Sequence, residues 1–74
     1  MEKIMLYRDK NGNVRCTFRG LDLSIDELNI PLLAQLYRQS GQMPKFGFDP
    51  TDFGLSMVAN SLTEKIKQTS MIIF

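Results

Sequence analysis

Histidine and tryptophan are absent from this sequence, and Cys16 is its only cysteine. Each absence excludes a class of chemistry or of structural support. One thiol cannot close an intrachain disulfide, and one thiol without histidine cannot make a zinc centre of four nitrogen and sulfur ligands. General acid–base catalysis most often uses histidine, so a catalytic set would have to come from carboxylates. No apolar run approaches the roughly 18 residues that a membrane span needs, and no apolar leader opens the chain, which together with the lone thiol predicts a cytoplasmic protein. Neither sign of charge dominates: nine basic and eight acidic residues give a net charge of +1, so there is no global pull toward nucleic acid or membrane.

What is there fits one domain, residues 1–74. A chain of 74 residues buries only about 60% of its unfolded surface, and domains this small usually rely on disulfides, a metal or association with another chain. With the first two excluded, association remains, and a homo-oligomer, a dimer first, is the expected support. The charges are unevenly distributed. Lys3, Arg8, Lys10, Arg15 and Arg19 outweigh Glu2 and Asp9 in the first nineteen residues, and Asp22, Asp26 and Glu27 follow without a base before Arg38.

Residues 3–8 and 14–19 alternate as two strands. Between them, Asp9 at the first turn position and Gly12 at the fourth fit a type I turn followed by a glycine bulge better than a two-residue Asn-Gly turn. The register supports this choice, because it gathers Ile4, Leu6, Val14, Cys16 and Phe18 on one face. Gly20 is expected to end the hairpin. Ser24 and Glu27 have the spacing of a capping box, but Pro31 forbids one long helix from there. A short turn is therefore expected, with a main helix starting near Pro31 and ending at Gly41; Leu28, Leu32, Leu33, Leu36 and Tyr37 lie on its apolar side. Residues 42–49 read as a loop or short strand. A second helix is expected to open with Asp49 as N-cap and Pro50 at N1, carrying Leu55, Val58, Ala59, Leu62 and Ile66 as its core stripe. Residues 69–74 are apolar on both faces, which predicts a buried strand beside the first one. The resulting fold class is α+β, in the order ββααβ: a three-stranded sheet with both helices on one face.

Several short patterns are weighed against this frame. Asp22, Asp26 and Glu27 are the only carboxylate cluster worth testing for catalysis, but acids in a capped first turn are explained by the helix dipole. Cys16 alternates with Val14 and Phe18 and reads as core rather than nucleophile. Asp52-Phe53-Gly54 spells the magnesium motif of protein kinases, whose remaining machinery cannot fit in this length. Lys45-Phe46-Gly47-Phe48 resembles part of the aromatic strand of RNA-recognition domains, without the glycine expected after the base. Gln68, Met71 and Phe74, preceded by Lys65 and Lys67, resemble the peptide with which replication and repair proteins dock on ring-shaped sliding clamps. That resemblance implies a docking site, set against the large apolar area that favours a core strand.

Two surfaces carry more apolar and aromatic area than a small monomer needs. The outer hairpin face would present Tyr7, Arg15 and Arg19 with Lys3, Met5 and Thr17, an interface-like composition that could also grip nucleic acid. Phe46, Phe48, Phe53 and Met57 would form an aromatic cluster, set against a reading in which the loop phenylalanines simply pin the loop to the domain. The expected function is a small non-enzymatic protein-binding module without cofactor. A regulator or inhibitor of the kind phages and mobile elements encode, occluding or bridging a larger protein, would fit. Nucleic-acid binding through the hairpin and clamp docking through Gln68, Met71 and Phe74 are the alternatives.

Overall fold

The computed structural model describes residues 3–73. Among them the chain forms strands β1 (Lys3–Arg8), β2 (Val14–Phe18) and β3 (Leu21–Ser24), helix α1 (Ile30–Ser40), strand β4 (Lys45–Gly47) and helix α2 (Phe53–Ile73), with a single 3-10 turn at Ile25–Glu27. The fold class is α+β as the pattern predicts. The sheet, however, has four strands in the order β3-β2-β1-β4.

The β1–β2 hairpin has the expected register, with Leu6 opposite Cys16 and Arg8 opposite Val14. Its turn is closed by the Gly12 N–H donating to the Asp9 carbonyl at 3.0 Å, while the Asp9 carboxylate accepts from the N–H groups of Asn11 and Asn13. Gly12 supplies the left-handed φ of 83° that the bulge demands. The chain does not leave the sheet at Gly20, as the sequence suggested. Arg19 and Gly20 both take positive φ, 53° and 77°, and form a two-residue turn that returns β3 antiparallel to β2, Phe18 facing Leu21. Positive φ at both central positions is the signature of the type I′ hairpin, whose twist matches the flanking strands.

The Ser24–Glu27 capping box forms as predicted. The Glu27 N–H donates to the Ser24 hydroxyl at 3.3 Å, and the Ser24 N–H donates to the Glu27 carboxylate at 2.9 Å. Helix α1 is capped by Asn29, whose side chain accepts from the Leu32 N–H, and stops at Gly41 in the left-handed conformation. The start of α2 differs from expectation. Asp49 instead closes a turn with Pro50, accepting from the N–H and hydroxyl of Thr51. Asp52 is the cap, accepting from the Leu55 N–H through its carboxylate and the Ser56 N–H through its carbonyl.

The largest correction concerns the end of the chain. Thr69 to Ile73 is not a strand but the last turns of α2, a helix of 21 residues. The place beside β1 belongs to β4, paired parallel with Ile4 opposite Phe46. The periodic stripe of α2 explains the outcome: Leu55, Ala59, Leu62, Ile66 and Ser70 are all buried. They recur every three or four residues, so the side that seats α2 continues through Ser70. Both helices cover one face of the sheet. Ile4, Leu6, Cys16 and Phe18 meet Leu28, Leu33, Ala34 and the α2 stripe in one core, with Phe46 and Phe48 packed against it. The other sheet face presents Lys3, Met5, Thr17, Asp22 and Lys45 to solvent.

Candidate functional site: the exposed side of the second helix

The candidate surfaces read from the sequence do not share one fate. On the outer hairpin face, Tyr7 and Arg15 are neighbours across the β1–β2 pair, but both are engaged by Asp22 of β3. The Tyr7 hydroxyl donates to the Asp22 carboxylate at 2.7 Å, and Arg15 Nε donates to the same oxygen at 3.3 Å. The hydrogen bond from Tyr7 holds the Asp22 carboxyl below its ordinary range, and the same bond pushes the phenol up. Arg19 does not join that face. Its position in the β2–β3 turn brings the guanidinium over the Phe18 ring, 5.1 Å from the centroid, a cation–π distance. Strand β3, which the sequence pattern did not suggest, is therefore what changes this surface, because it sets the Asp22 carboxylate against Tyr7 and Arg15.

The aromatic cluster divides as well. Phe46 points from β4 into the core and Phe48 packs on it, both partly buried. These two pin the loop to the domain. Phe53 and Met57 do neither: they are 76% and 58% exposed. Separated by four residues, they share one side of α2. Farther along the same helix, Met71 and Ile72 are 78% and 82% exposed. At about 100° of turn per residue, Phe53, Met57, Asn60, Glu64, Gln68 and Met71 form a single stripe directly opposite the buried one. It is apolar at both ends and polar in the middle, where Glu64 and Lys67 pair across 3.9 Å. Gln68 and Met71, two of the three clamp-like residues, lie on this stripe, both exposed; Phe74 lies outside the described residues.

The start of the stripe is tied to the first hairpin. Arg8, at the end of β1, donates from Nε and Nη2 to the two oxygens of Asp52 at 2.7 and 3.2 Å, and from Nη1 to the Gly12 carbonyl. This fork joins the hairpin turn to the cap of α2. Gly54 leaves the space it needs, since a Cβ there would fall on Arg8 Nη2. The Asp52-Phe53-Gly54 motif is thereby accounted for: a cap, an exposed ring and a clearance. The hydrogen bond from Arg8 holds the Asp52 carboxyl below its usual value.

Compared with protein-family models, curated proteins and solved structures, the chain matches none. The site must be read from its own geometry.

A second apolar surface lies at the opposite edge of the sheet. Phe18, Leu21, Leu23, Leu28 and Leu32 line an open groove of about 310 Å³ with Arg19 and Glu27 among its lining residues. The free edge of β3 runs beside it, but the Ser24 N–H is already taken by Glu27, which blunts the edge against strand addition. Of the carboxylates weighed for catalysis, Glu27 is fixed in its capping box, with the bond from the Ser24 backbone holding it below the ordinary range, and Asp22 is paired as described. Cys16 is fully buried, and burial pushes its thiol up. Among the described residues no group of three or more His, Cys, Asp or Glu side chains could hold a metal ion. Among the described residues no helix is long and apolar enough to cross a membrane.

Proposed function

We propose that this chain is a non-enzymatic protein-binding module, a regulator or inhibitor that occludes or bridges a larger protein, and that it makes contact through the exposed side of α2. The observation supporting this reading is the position of Phe53, Met57, Met71 and Ile72, large apolar side chains on one helix yet outside the core. Burying such a side chain is worth roughly 1.5–3 kcal/mol. The core already closes over a separate set of residues, so this free energy is left for another surface to realise. Apolar side chains gathered on one rigid element are the usual anchors of a protein–protein contact.

Affinity capture from the native cell, followed by sizing of the complex, tests the reading. Phe53→Asp and Met57→Asp should each abolish capture while leaving the circular dichroism spectrum unchanged. Capture that survives both substitutions refutes it. Capture lost instead with Arg15→Ala and Arg19→Ala, and falling steeply with salt, would assign the chain to nucleic acid.

A second reading is clamp docking by the end of α2. It is supported by Gln68 and Met71, exposed one turn apart on the same side. Gln68→Ala should then abolish binding to a purified sliding clamp, whereas Phe53→Asp should not.

A further inference from the structure

We propose that the exposed side of α2 is self-complementary and joins two copies of this chain in an antiparallel pair, an inference that rests on reading this side as the contact face. The stripe carries Phe53 and Met57 near its start, Asn60 and Glu64 in the middle, and Met71 near its end. A two-fold axis on the exposed side, at the level of Leu62 along the helix, sets Phe53 of one copy against Met71 of the other, and Asn60 against Glu64. Met57 falls against the aliphatic stem of Lys67, and Ile72 flanks the Phe53 contact. Each copy's apolar ends thus cover the other's, and each carboxylate meets an amide able to donate to it. A parallel pairing in register would oppose Glu64 to Glu64. Closed two-fold contacts of this isologous kind need one self-matching patch and no second partner.

The size of the patch sets the strength. Covering the four apolar side chains and the polar residues between them removes on the order of 600 Å² per copy, somewhat less than the roughly 800 Å² per partner of a standard interface. The pair should therefore be reversible and weak, with dissociation in the micromolar range. A larger protein that uses the same side must displace the second copy, so self-pairing lowers the effective affinity for it.

Sedimentation equilibrium on the purified full chain, from low-micromolar to near-millimolar concentration, tests the proposal. The expected result is a monomer–dimer equilibrium. Met57→Asp should shift it to monomer with an unchanged circular dichroism spectrum, since Met57 is exposed. Asn60→Asp opposes two carboxylates and should weaken the pair roughly two- to tenfold, whereas Asn60→Lys should tighten it by a similar factor. A chain monomeric throughout overturns the proposal, as does a dimer indifferent both to Met57→Asp and to the sign of charge at position 60. The contact-face reading fails separately. A monomeric chain that still captures a larger protein through Phe53 keeps that reading and removes self-pairing; a self-pairing chain whose capture ignores Phe53 does the reverse.

Discussion

Substituting Ile66 and Met71 in parallel gives the sharpest test of the helical ending and of the exposed stripe that follows from it. Ile66 is fully buried and Met71 is 78% exposed, five residues later on the same helix. Stability in a domain of this size amounts to roughly 0.05–0.15 kcal/mol per residue, about 4–11 kcal/mol for the chain. Ile66→Ala removes three buried carbons and should cost about 2–5 kcal/mol, enough to leave little folded protein at the lower end of that range. Ile66→Val is the measurable variant, with an expected loss of about 1 kcal/mol. With a urea dependence near 1 kcal/mol per molar for so small a protein, its midpoint should fall by about 1 M. Met71→Ala should move the midpoint by less than about half that, because surface substitutions stay within about 0.5 kcal/mol. If residues 69–74 formed a core strand, Met71→Ala would create a cavity as Ile66→Ala does. A Met71→Ala loss equal to or greater than that of Ile66→Val therefore refutes the helical ending and removes the outward stripe with it.

Acid stability follows from the Arg8–Asp52 fork. The Asp52 carboxyl titrates below its ordinary value because Arg8 donates to it, so its contribution to stability is fully present above the ordinary aspartate range and is lost as pH falls through the depressed value. Arg8→Ala should flatten this part of the pH–stability curve, and Gly54→Ala should do the same because the added methyl displaces Arg8 Nη2; NMR titration of the Asp52 carboxyl should then show a higher midpoint in both variants. The Cys16 thiol, buried and pushed up by desolvation, should react with a soluble thiol reagent only as fast as the domain opens. Labelling of folded protein at the rate of a free thiol would show that the β2 face is not sealed.

Much of the framework could be read from turn and cap chemistry. Asp9 with Gly12 set the hairpin register, Ser24 with Glu27 set the short turn, and Pro31 with Gly41 bounded α1, because in each case a side chain or a φ value has one good local use. Strand β3 escaped for the complementary reason. Its turn places Arg19 at positive φ, a conformation that the residue type does not advertise, so Gly20 alone suggested an end and not a reversal. Once β3 is present, Asp22 reaches Tyr7 and Arg15, and the basic character expected of that face is reduced. The start of α2 shifted for a related reason. Asp49 and Asp52 can both cap, and the choice falls on Asp52, whose carboxylate also meets Arg8 across 44 residues of chain, a contact with no local signal.

The end of the chain shows why apolar area alone was a poor guide to burial. From Ala59 to Ile66 helix α2 is apolar inward and polar outward, the ordinary arrangement of a surface helix. Over the last turns this pattern inverts. Ser70 takes the buried position, where its hydroxyl is satisfied by donating to the Lys67 carbonyl at 2.7 Å, while Met71 and Ile72 face out. A sequence-based reading that assigns apolar residues to the interior must then find a strand to hide them. Ser70 keeps the buried side of α2 going into its last turn, whereas Met71 and Ile72 add nothing to the core of an isolated domain. Toward the other end Phe53 and Met57 also face out, beside the buried Leu55. Two exposed apolar groups on one helix, with Phe53 and Met71 about five turns apart on the same side, are more than a surface meant only for water requires. Under the proposed pairing, the side chain at position 60, between these groups, is the point where a single charge should decide how strongly two copies meet.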